Sequence, residues 1–343
     1  MQQHPKVIIT DFIHDELVPE RKALDGIAEV LALNVQGEAA LEGLIEDAAA
    51  IMIYHTTSLS RQTLERLRQC RLIVRCGAGF DNVDHEFAAQ RGIPVANVPD
   101  YGTEEVADSA IGLMLSLTRG ISFLNSRLRS GVGDWTYTPV APLRRLRGQV
   151  FGVVGLGRIG TAAALRARAF GLDVCFFDPY KADGNDKALG LRRVESLEEL
   201  LAQADVLSLH CPLSPESRAM INDRTLALMK RSSILLNTAR GGLVETAAVL
   251  SAIESGQLSG AGIDVLPVEP PPSGDPLITA WRNPDHAAHH RVIINPHSAF
   301  YSEQGLMDMR IKGAEACRRA LLGLPLRNVV NQPASVRPAE SQA

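Results

Sequence analysis

A glycine-rich segment places the strongest constraint on what this chain can fold into. The β-branched run Val150–Val154 leads directly into Gly155-Leu-Gly157-Arg-Ile-Gly160, and an alanine-rich helical pattern follows. A strand, a G-x-G-x-x-G turn and a helix in this order are typical of a dinucleotide-binding βαβ unit, whose helix N-terminus faces the diphosphate. The alternative interpretation is a glycine-rich turn without a ligand. The residues that we expect at the diphosphate are Gly155, Gly157, Arg158, Ile159 and Gly160.

An acidic residue at the end of the next predicted strand indicates which dinucleotide binds. Asp178 lies 18 residues after Gly160. Its carboxylate can accept hydrogen bonds from the ribose hydroxyls of NAD, whereas its charge would repel the 2′-phosphate of NADP. Lys181 lies nearby and weakens this exclusion slightly. The sequence therefore predicts NAD as the cofactor.

Alternating strand and helix patterns predict the fold class. Short β-branched runs alternate with longer helical patterns in two arrays, one before about residue 100 and one after about residue 150, which predicts parallel sheets covered on both faces. One long helix is expected from Glu104 to about Arg127, and a final helix at about 302–322. The predicted strands are Val7–Thr10, Ala50–Tyr54, Leu72–Arg75, Val150–Val154, Val174–Phe177, Val206–His210, Ile234–Asn237, Ala261–Val265 and Val292–Ile294.

Composition excludes several other classes of protein. The 343 residues are 45% hydrophobic and 22% charged, which is ordinary globular usage for about two domains. No apolar run approaches the roughly 18 residues of a membrane span, and a net charge of −4 argues against nucleic-acid binding. The five cysteines are widely spaced and residues 1–10 contain no secretory signal, so we expect a cytoplasmic protein.

Polar residues follow three of the later predicted strands. They lie in Asn237–Gly242, Asp264–Pro270 and Asn295–Phe300, and the carboxyl ends of parallel strands are where open α/β sheets bind ligands. A lone histidine or arginine is more often structural than catalytic, so these segments alone leave both interpretations open. The stretch 283–290 contains three histidines and allows either a metal site or, preferably, a polar surface loop.

The order and spacing of seven segments resemble the D-isomer-specific 2-hydroxyacid dehydrogenases, most closely the C-terminal binding protein branch. The resemblance extends from about residue 5 to about 332. It implies two Rossmann-like doubly wound domains, with an NAD-binding domain (102–299) inserted into a flavodoxin-like substrate domain (1–101 and 300–332). Residues 333–343 are expected to form a frayed tail. The segments are Tyr54–Thr57, Ile73–Asp84, Gly155–Gly160, Asp178–Tyr180, Leu209–Pro212, Asn237–Gly242 and Pro296–Gln304.

The resemblance also implies three catalytic roles. Arg240 would bind the substrate carboxylate and carbonyl oxygen, and His297 would be the general acid in reduction and the base in oxidation. Glu269 would hydrogen-bond His297 and favour its protonated form. These residue types suit the chemistry, because hydride delivery to a carbonyl builds negative charge on the oxygen, which needs a cation and a proton donor.

Further contacts are implied for the cofactor and for the substrate. Asp264 would bind the nicotinamide amide, and Arg75 would either select a polar group of the substrate or form a structural ion pair. Phe300 stands where the corepressor branch has tryptophan, which puts the substrate preference of that branch in doubt. The remaining implied cofactor residues are Cys211, Pro212, Thr238, Ala239 and His297. The implied substrate residues are His55, Arg75, Cys76, Gly77, Ala78, Gly79, Arg240 and Phe300.

Two functions are compatible with the sequence. The first is an NAD-dependent D-2-hydroxyacid dehydrogenase, acting as a reductase of a small 2-keto acid without a metal. The second is an NAD-sensing scaffold like the animal corepressors, with little turnover. The family resemblance also implies a homodimer formed through the long helix and the segment around Trp135, although the apolar helix face would also suit a monomer core.

Overall fold

The computed structural model describes residues 4–332, so the predicted tail at 333–343 lies outside the described residues. The chain divides into two compact units: one runs up to Gly102 and resumes at Ser302, and the other comprises Thr103–Tyr301. Every strand pairing between the named strands is parallel. The predicted fold class, two doubly wound α/β domains, is therefore confirmed.

The first unit is built on a five-stranded sheet with the flavodoxin-like order β2-β1-β3-β4-β5. Its central strand β3 has the sequence AAAIMI and is buried at every position, as expected for a strand covered on both faces. The strands are β1 (Lys6–Ile9), β2 (Glu29–Ala32), β3 (Ala48–Ile53), β4 (Ile73–Arg75) and β5 (Val95–Asn97). The helices are α1 (Val18–Ala23), α2 (Arg61–Glu65), α3 (His85–Gln90) and, at the end of the chain, α13 (Glu303–Leu321).

The second unit contains a seven-stranded sheet in the order β12-β11-β10-β9-β6-β7-β8. Its strands are β6 (Val150–Val154), β7 (Asp173–Phe177), β8 (Arg192–Arg193), β9 (Val206–Leu209), β10 (Ser233–Asn237), β11 (Leu258–Ile263) and β12 (Val292–Ile294). Its helices are α4 (Thr103–Arg119), α5 (Ile121–Arg129), α6 (Arg158–Ala169), α7 (Asn185–Leu189), α8 (Leu197–Gln203), α9 (Asp223–Leu226), α10 (Thr246–Glu254), α11 (Pro276–Arg282) and α12 (Ala287–Arg291).

Alternating residues of these strands supply two separate apolar cores. Val153 and Phe176 belong to one cluster with Met114 of α4, whereas Val154 and Cys175 belong to the other. Since successive side chains of a strand point to opposite faces, the two clusters cover the two faces of the sheet. Because both faces of the sheet are covered by apolar side chains, the polar loops lie at the carboxyl ends of the strands.

Two expectations about secondary structure are wrong. The single helix expected from Glu104 to about Arg127 is interrupted at Gly120, whose φ of 64° is left-handed, so that α4 ends and α5 begins there. Three short strands, β2, β5 and β8, were not anticipated. β2 and β8 are edge strands and carry exposed polar residues, so they lack the continuous apolar run that marks a buried strand.

The histidine-containing stretch 283–290 is not simply a polar surface loop. Its second half enters the short helix α12, and His289 and His290 are half-buried. Within residues 4–332, no group of three or more His, Cys, Asp or Glu side chains is arranged to hold a metal ion. In the same range no helix is long and apolar enough to cross a bilayer.

A buried ion-pair network fastens α13 to α1 in the first unit. Arg310 is 5% exposed and donates to both carboxylate oxygens of Glu20, at 2.6 and 2.8 Å, and to both oxygens of Asp15, at 2.6 and 2.8 Å. Glu20 is fully buried, whereas Asp15 is partly exposed. The positive charge of Arg310 therefore compensates the buried negative charge of Glu20.

The Arg310→Met substitution is expected to lower the free energy of unfolding by about 3–5 kcal/mol, because it leaves the charge of Glu20 buried without a partner. Asp15→Asn is the matched control and should cost less than about 1 kcal/mol, since that carboxylate is partly exposed to water. Urea denaturation measures both changes. Equal stability of Arg310→Met and the unmodified protein would show that the network contributes nothing.

Candidate active site

Arg240 lies on a turn that begins where β10 ends. Asn237, the last residue of β10, is buried; its side-chain amide donates to the carbonyl oxygen of Arg240 at 2.9 Å and accepts from the N–H of Ala239 at 3.1 Å. Gly241 follows, and a Cβ there would lie 2.0 Å from the backbone of Leu266. The turn can therefore pack closely against the loop after β11, and Asn237, which sequence reasoning did not assign a role, fixes its conformation.

His297 and Glu269 are brought together although they lie 28 residues apart. The Nδ1 atom of His297 is 2.7 Å from Oε2 of Glu269, and Oε1 of Glu269 accepts from the N–H of Leu266 at 2.7 Å. An ionised carboxylate can only accept, so Nδ1 carries the proton in this pair and Nε2 is the atom that can exchange a proton with a substrate.

Asp264 holds the loop that carries His297. The backbone N–H of His297 donates to the Asp264 carbonyl at 2.8 Å, and the Asp264 carboxylate accepts from the N–H groups of Ser298 (2.9 Å) and Ala299 (3.0 Å). These bonds maintain His297 at a φ of 53°, in the left-handed region that few non-glycine residues adopt. Burial raises the pKa of the Asp264 carboxyl above its usual value. The expected contact of Asp264 with a nicotinamide amide stays a prediction.

Phe300, which was expected to contact the substrate, lies next to His297. The ring of Phe300 is almost fully buried and its centroid is 6.2 Å from that of His297, in an edge-to-face arrangement. Phe300 therefore borders the histidine, as a residue that shapes a substrate pocket would.

The glycine-rich turn has the shape of a diphosphate cradle. Gly155 has a φ of 87°, and a Cβ there would lie 2.7 Å from the backbone of Cys211. A Cβ on Gly160 would lie 2.1 Å from the carbonyl oxygen of Gly155, whereas nothing lies within 4 Å of a Cβ on Gly157. No side chain caps α6 at Gly157, so the first N–H groups of α6 are available to an anion.

Asp178 is fixed at the end of β7 by two backbone groups. Its carboxylate accepts from the N–H of Leu156 at 2.8 Å and from that of Tyr180 at 3.0 Å. The first bond ties the carboxylate to the glycine-rich turn itself. The negative charge therefore has a defined position beside the cradle, where a ribose would follow the diphosphate.

Two buried polar atoms near this turn lack hydrogen-bond partners within residues 4–332. They are Oγ1 of Thr238, directly after β10, and Nδ1 of His210, directly after β9. Buried polar groups are almost always paired, so an unpaired hydroxyl at a strand end fits a ligand such as a cofactor ribose. His210 was not anticipated: burial lowers its pKa to about 4, and its Nε2 lies 2.8 Å from Oγ of Ser208. The sequence signal that could have identified His210 is its position directly before Cys211 and Pro212, which were expected to contact the cofactor.

In the first unit, a buried carboxylate organises the loop that contains His55. Asp11 accepts from the N–H groups of Tyr54 and Thr56, both at 2.8 Å, and from the hydroxyl of Thr56 at 2.8 Å. The ring of His55 lies 4.6 Å from that of Phe12, centroid to centroid. The hydroxyl of the adjacent Thr10 also donates to Asp11, at 2.7 Å. Asp11 was not identified from the sequence, because Tyr54 and Thr56, whose loop it holds, lie more than 40 residues away along the chain.

Arg75 covers the loop that follows β4. Its Nη1 atom lies 1.5 Å from where a Cβ of Gly77 would be, so a side chain at position 77 would displace the guanidinium. The guanidinium also donates to the Cys76 carbonyl at 3.3 Å and to Oδ1 of Asn82 at 3.4 Å. Arg75 is 6% exposed. The structure thus places a guanidinium directly on the segment Cys76–Gly79, and both interpretations of Arg75 stay open.

An Asp178→Asn substitution is expected to reduce the preference for NADH over NADPH by about tenfold or more, because it removes the charge that repels a 2′-phosphate and keeps the side-chain size. The measurement is the ratio of kcat/KM for the two cofactors. Asp186→Asn, a change in the nearby helix α7, is the control and should leave this ratio unchanged. If the unmodified protein uses both cofactors equally well, Asp178 does not select between them.

Comparison with known proteins identifies relatives of the whole chain. The family model "D-isomer specific 2-hydroxyacid dehydrogenase, NAD binding domain" matches residues 111–299, more than half of the chain. D-3-phosphoglycerate dehydrogenase of Methanocaldococcus jannaschii is 34% identical over 329 residues, which are 96% of this chain and 60% of that protein. C-terminal-binding protein 1 of Caenorhabditis elegans is 33% identical over 93% of this chain and 44% of its own length. The chain thus spans less than two thirds of either relative.

A solved structure is also similar to nearly the whole of this chain. D-lactate dehydrogenase of Aquifex aeolicus, complexed with NAD and lactic acid, superposes with a TM-score of 0.82 at 27% identity, over 92% of this chain and 96% of that one. The match of residues 111–299 to an NAD-binding domain confirms the prediction of NAD as the cofactor.

Proposed function

Because the chain belongs to the D-isomer-specific 2-hydroxyacid dehydrogenase family and contains its NAD-binding domain, we propose that it catalyses hydride transfer between NAD(H) and a small 2-keto or 2-hydroxy acid. The observation that carries this proposal is the 2.7 Å pair of His297 and Glu269, on loops that follow adjacent strands β12 and β11. The turn with Arg240 follows the next strand, β10.

In the reductive direction, the carbonyl carbon of the substrate would receive a hydride from NADH bound at the cradle Gly155–Gly160. The carbonyl oxygen then becomes an alkoxide and takes the proton from Nε2 of His297, which gives the hydroxy acid. Glu269 accepts the hydrogen bond from Nδ1 and stabilises the positive charge of the ring before the proton leaves. Oxidation is the reverse, with neutral His297 as the base.

Arg240 has a different task in this proposal. Its planar guanidinium binds the substrate carboxylate with two parallel hydrogen bonds and adds positive charge beside the developing alkoxide. In the first unit, His55, Arg75 and the segment Cys76–Gly79 are proposed to bind the substrate as well. The support for this is the glycine-containing loop on which the guanidinium of Arg75 lies.

We infer a second copy of this chain as partner. The segment after α5 is almost wholly exposed, and Trp135 and Tyr137 on it are 89% and 76% exposed. Large aromatic side chains in such a position are typical of an interface. Light scattering after gel filtration measures the mass directly, and a monomer at micromolar concentration contradicts this inference.

Turnover is the decisive test of the proposed function. NADH oxidation is followed at 340 nm with glyoxylate, pyruvate, hydroxypyruvate and phosphohydroxypyruvate, and at least one of these should be reduced to its hydroxy acid. The similarity to C-terminal-binding protein 1 motivates the alternative, an NAD-sensing scaffold. NADH binding without turnover of any of the four acids would favour that alternative.

A further inference from the structure

Three successive carbonyl groups of the loop Cys76–Gly79 each accept a hydrogen bond. The first carbonyl accepts from Nη1 of Arg75 at 3.3 Å, and the second accepts from the backbone N–H of Val98 at 3.1 Å. The third carbonyl, that of Ala78, accepts from the side-chain amide of Asn97 at 2.6 Å. The donors come from the ends of the paired strands β4 and β5, which therefore hold the loop by its carbonyl groups.

This arrangement also fixes the direction of the N–H groups of the loop. A trans peptide group directs its carbonyl and the following N–H in opposite directions, so the N–H groups of Gly77, Ala78 and Gly79 point away from the three donors. None of these N–H groups donates to an acceptor within residues 4–332. Ala78 and Gly79 are partly exposed, so a ligand can reach them. Successive N–H groups of this kind suit an anion.

Asn97 is well placed to hold its loop carbonyl in one orientation. It is the last residue of β5 and is paired with Arg75 across the sheet, and its own backbone N–H donates to the carbonyl of Asn328 at 3.1 Å. Because the backbone of Asn97 is held on both sides, its partly buried amide has a fixed origin. The bond to Ala78 therefore restrains the peptide group that joins Ala78 to Gly79.

We infer that Asn97 is a positioning residue for the substrate, an inference that rests on the proposed function. Asn97 does not contact the substrate itself. It holds the Ala78 carbonyl, so that the N–H of Gly79 stays directed at the substrate carboxylate. Without this donor the peptide group can rotate, and the loop then presents its N–H groups in more than one direction.

The Asn97→Asp substitution tests this inference, because a carboxylate has nearly the shape of the amide but cannot donate to a carbonyl. We expect the KM for the keto acid reduced fastest to rise at least about fivefold, with kcat changed by less than about threefold. The Kd for NADH should be unchanged. Asn97→Ala should change KM in the same direction, which keeps the test valid if the new charge disturbs folding.

Asn331→Ala is the matched control, because Asn331 supports the opposite end of the same strand. Its Oδ1 accepts from the N–H of Val95 at 2.8 Å, and its amide donates to the carbonyls of His85 and Ile93 at 2.9 and 3.1 Å. This variant should lower the urea midpoint of unfolding at least as much as Asn97→Ala does, yet leave KM unchanged. A general loosening of β5 would instead raise KM in both variants.

Binding of oxamate gives a measurement that needs no turnover. Oxamate has the carboxylate and the adjacent carbonyl of a 2-keto acid, and calorimetry with the NADH-loaded protein measures its Kd. Asn97→Asp and Asn97→Ala should each raise this Kd at least about fivefold, whereas Asn331→Ala should not change it. If oxamate binding depends on Asn97 but none of the four keto acids is reduced, the proposed function is wrong and the positioning role of Asn97 is retained.

Three results would overturn the inference. The first is an unchanged KM and an unchanged Kd for oxamate in both Asn97 variants, and the second is an equal effect of Asn331→Ala on these constants. The third is the absence of oxamate binding to the unmodified protein, because the loop would then hold no carboxylate.

Discussion

Replacement of His297 is expected to lower kcat/KM for keto-acid reduction by about 10²–10⁴-fold, because the alkoxide loses its proton donor. His297→Asn is a better variant than His297→Ala. The residue has a φ of 53°, and asparagine tolerates the left-handed region better than alanine does. The loop that Asp264 holds should then keep its conformation while the proton donor is lost.

The control for this prediction is NADH binding, which should survive because the cradle at Gly155–Gly160 is untouched. Glu269→Gln provides a second comparison: it removes the charge next to Nδ1 but leaves the imidazole in place, so it should reduce activity less than the loss of His297 does. Steady-state kinetics with the acid reduced fastest measures all three variants. Activity within tenfold of the unmodified protein in both His297 variants would contradict the assignment of His297 as the proton donor.

Arg240→Lys is expected to lower kcat/KM by about 10–100-fold, with much of the loss in KM, although the charge is conserved. One ammonium group cannot form the two parallel hydrogen bonds that a guanidinium makes with a carboxylate. Arg224→Lys is the matched control, since Arg224 is exposed and its ion pair with Glu198 is 3.6 Å long.

A structural role for Arg240 can be distinguished from a binding role. If Arg240 binds the substrate, the Arg240→Ala variant should regain part of its activity when guanidinium is added at millimolar concentration, because the small cation can occupy the vacated position. If Arg240 only stabilises the turn after β10, then guanidinium will not restore activity and the unfolding midpoint will fall.

The central strands could be predicted from the sequence because burial on both faces requires a continuous apolar run. The predicted bounds of Val150–Val154 agree with the central strand β6, those of Val292–Ile294 agree with the edge strand β12, and the others differ by a few residues at their ends. The break at Gly120 could not be predicted, because a single glycine is tolerated inside a helix and the apolar periodicity continues on both sides of it.

The candidate site shows the same division between what is local and what is not. The glycine-rich turn and Asp178 are recognisable because each acts within a short, regular βαβ unit. The residues that hold the site's loops gave no such signal. Asn82 donates to the carbonyl oxygens of Tyr54 and Thr57, which lie 28 and 25 residues away, and no periodicity or motif predicts pairs at that separation.

The sequence by itself determined the class of fold and the position of the dinucleotide turn, since hydrophobic periodicity and glycine geometry act over a few neighbouring residues. Only the tertiary structure decided which polar groups support the loops, that His297 is held in a left-handed conformation by Asp264, and that the side chain of Asn97 holds the carbonyl of Ala78. These features depend on hydrogen bonds and packing between distant segments, which become neighbours only when the sheet has formed.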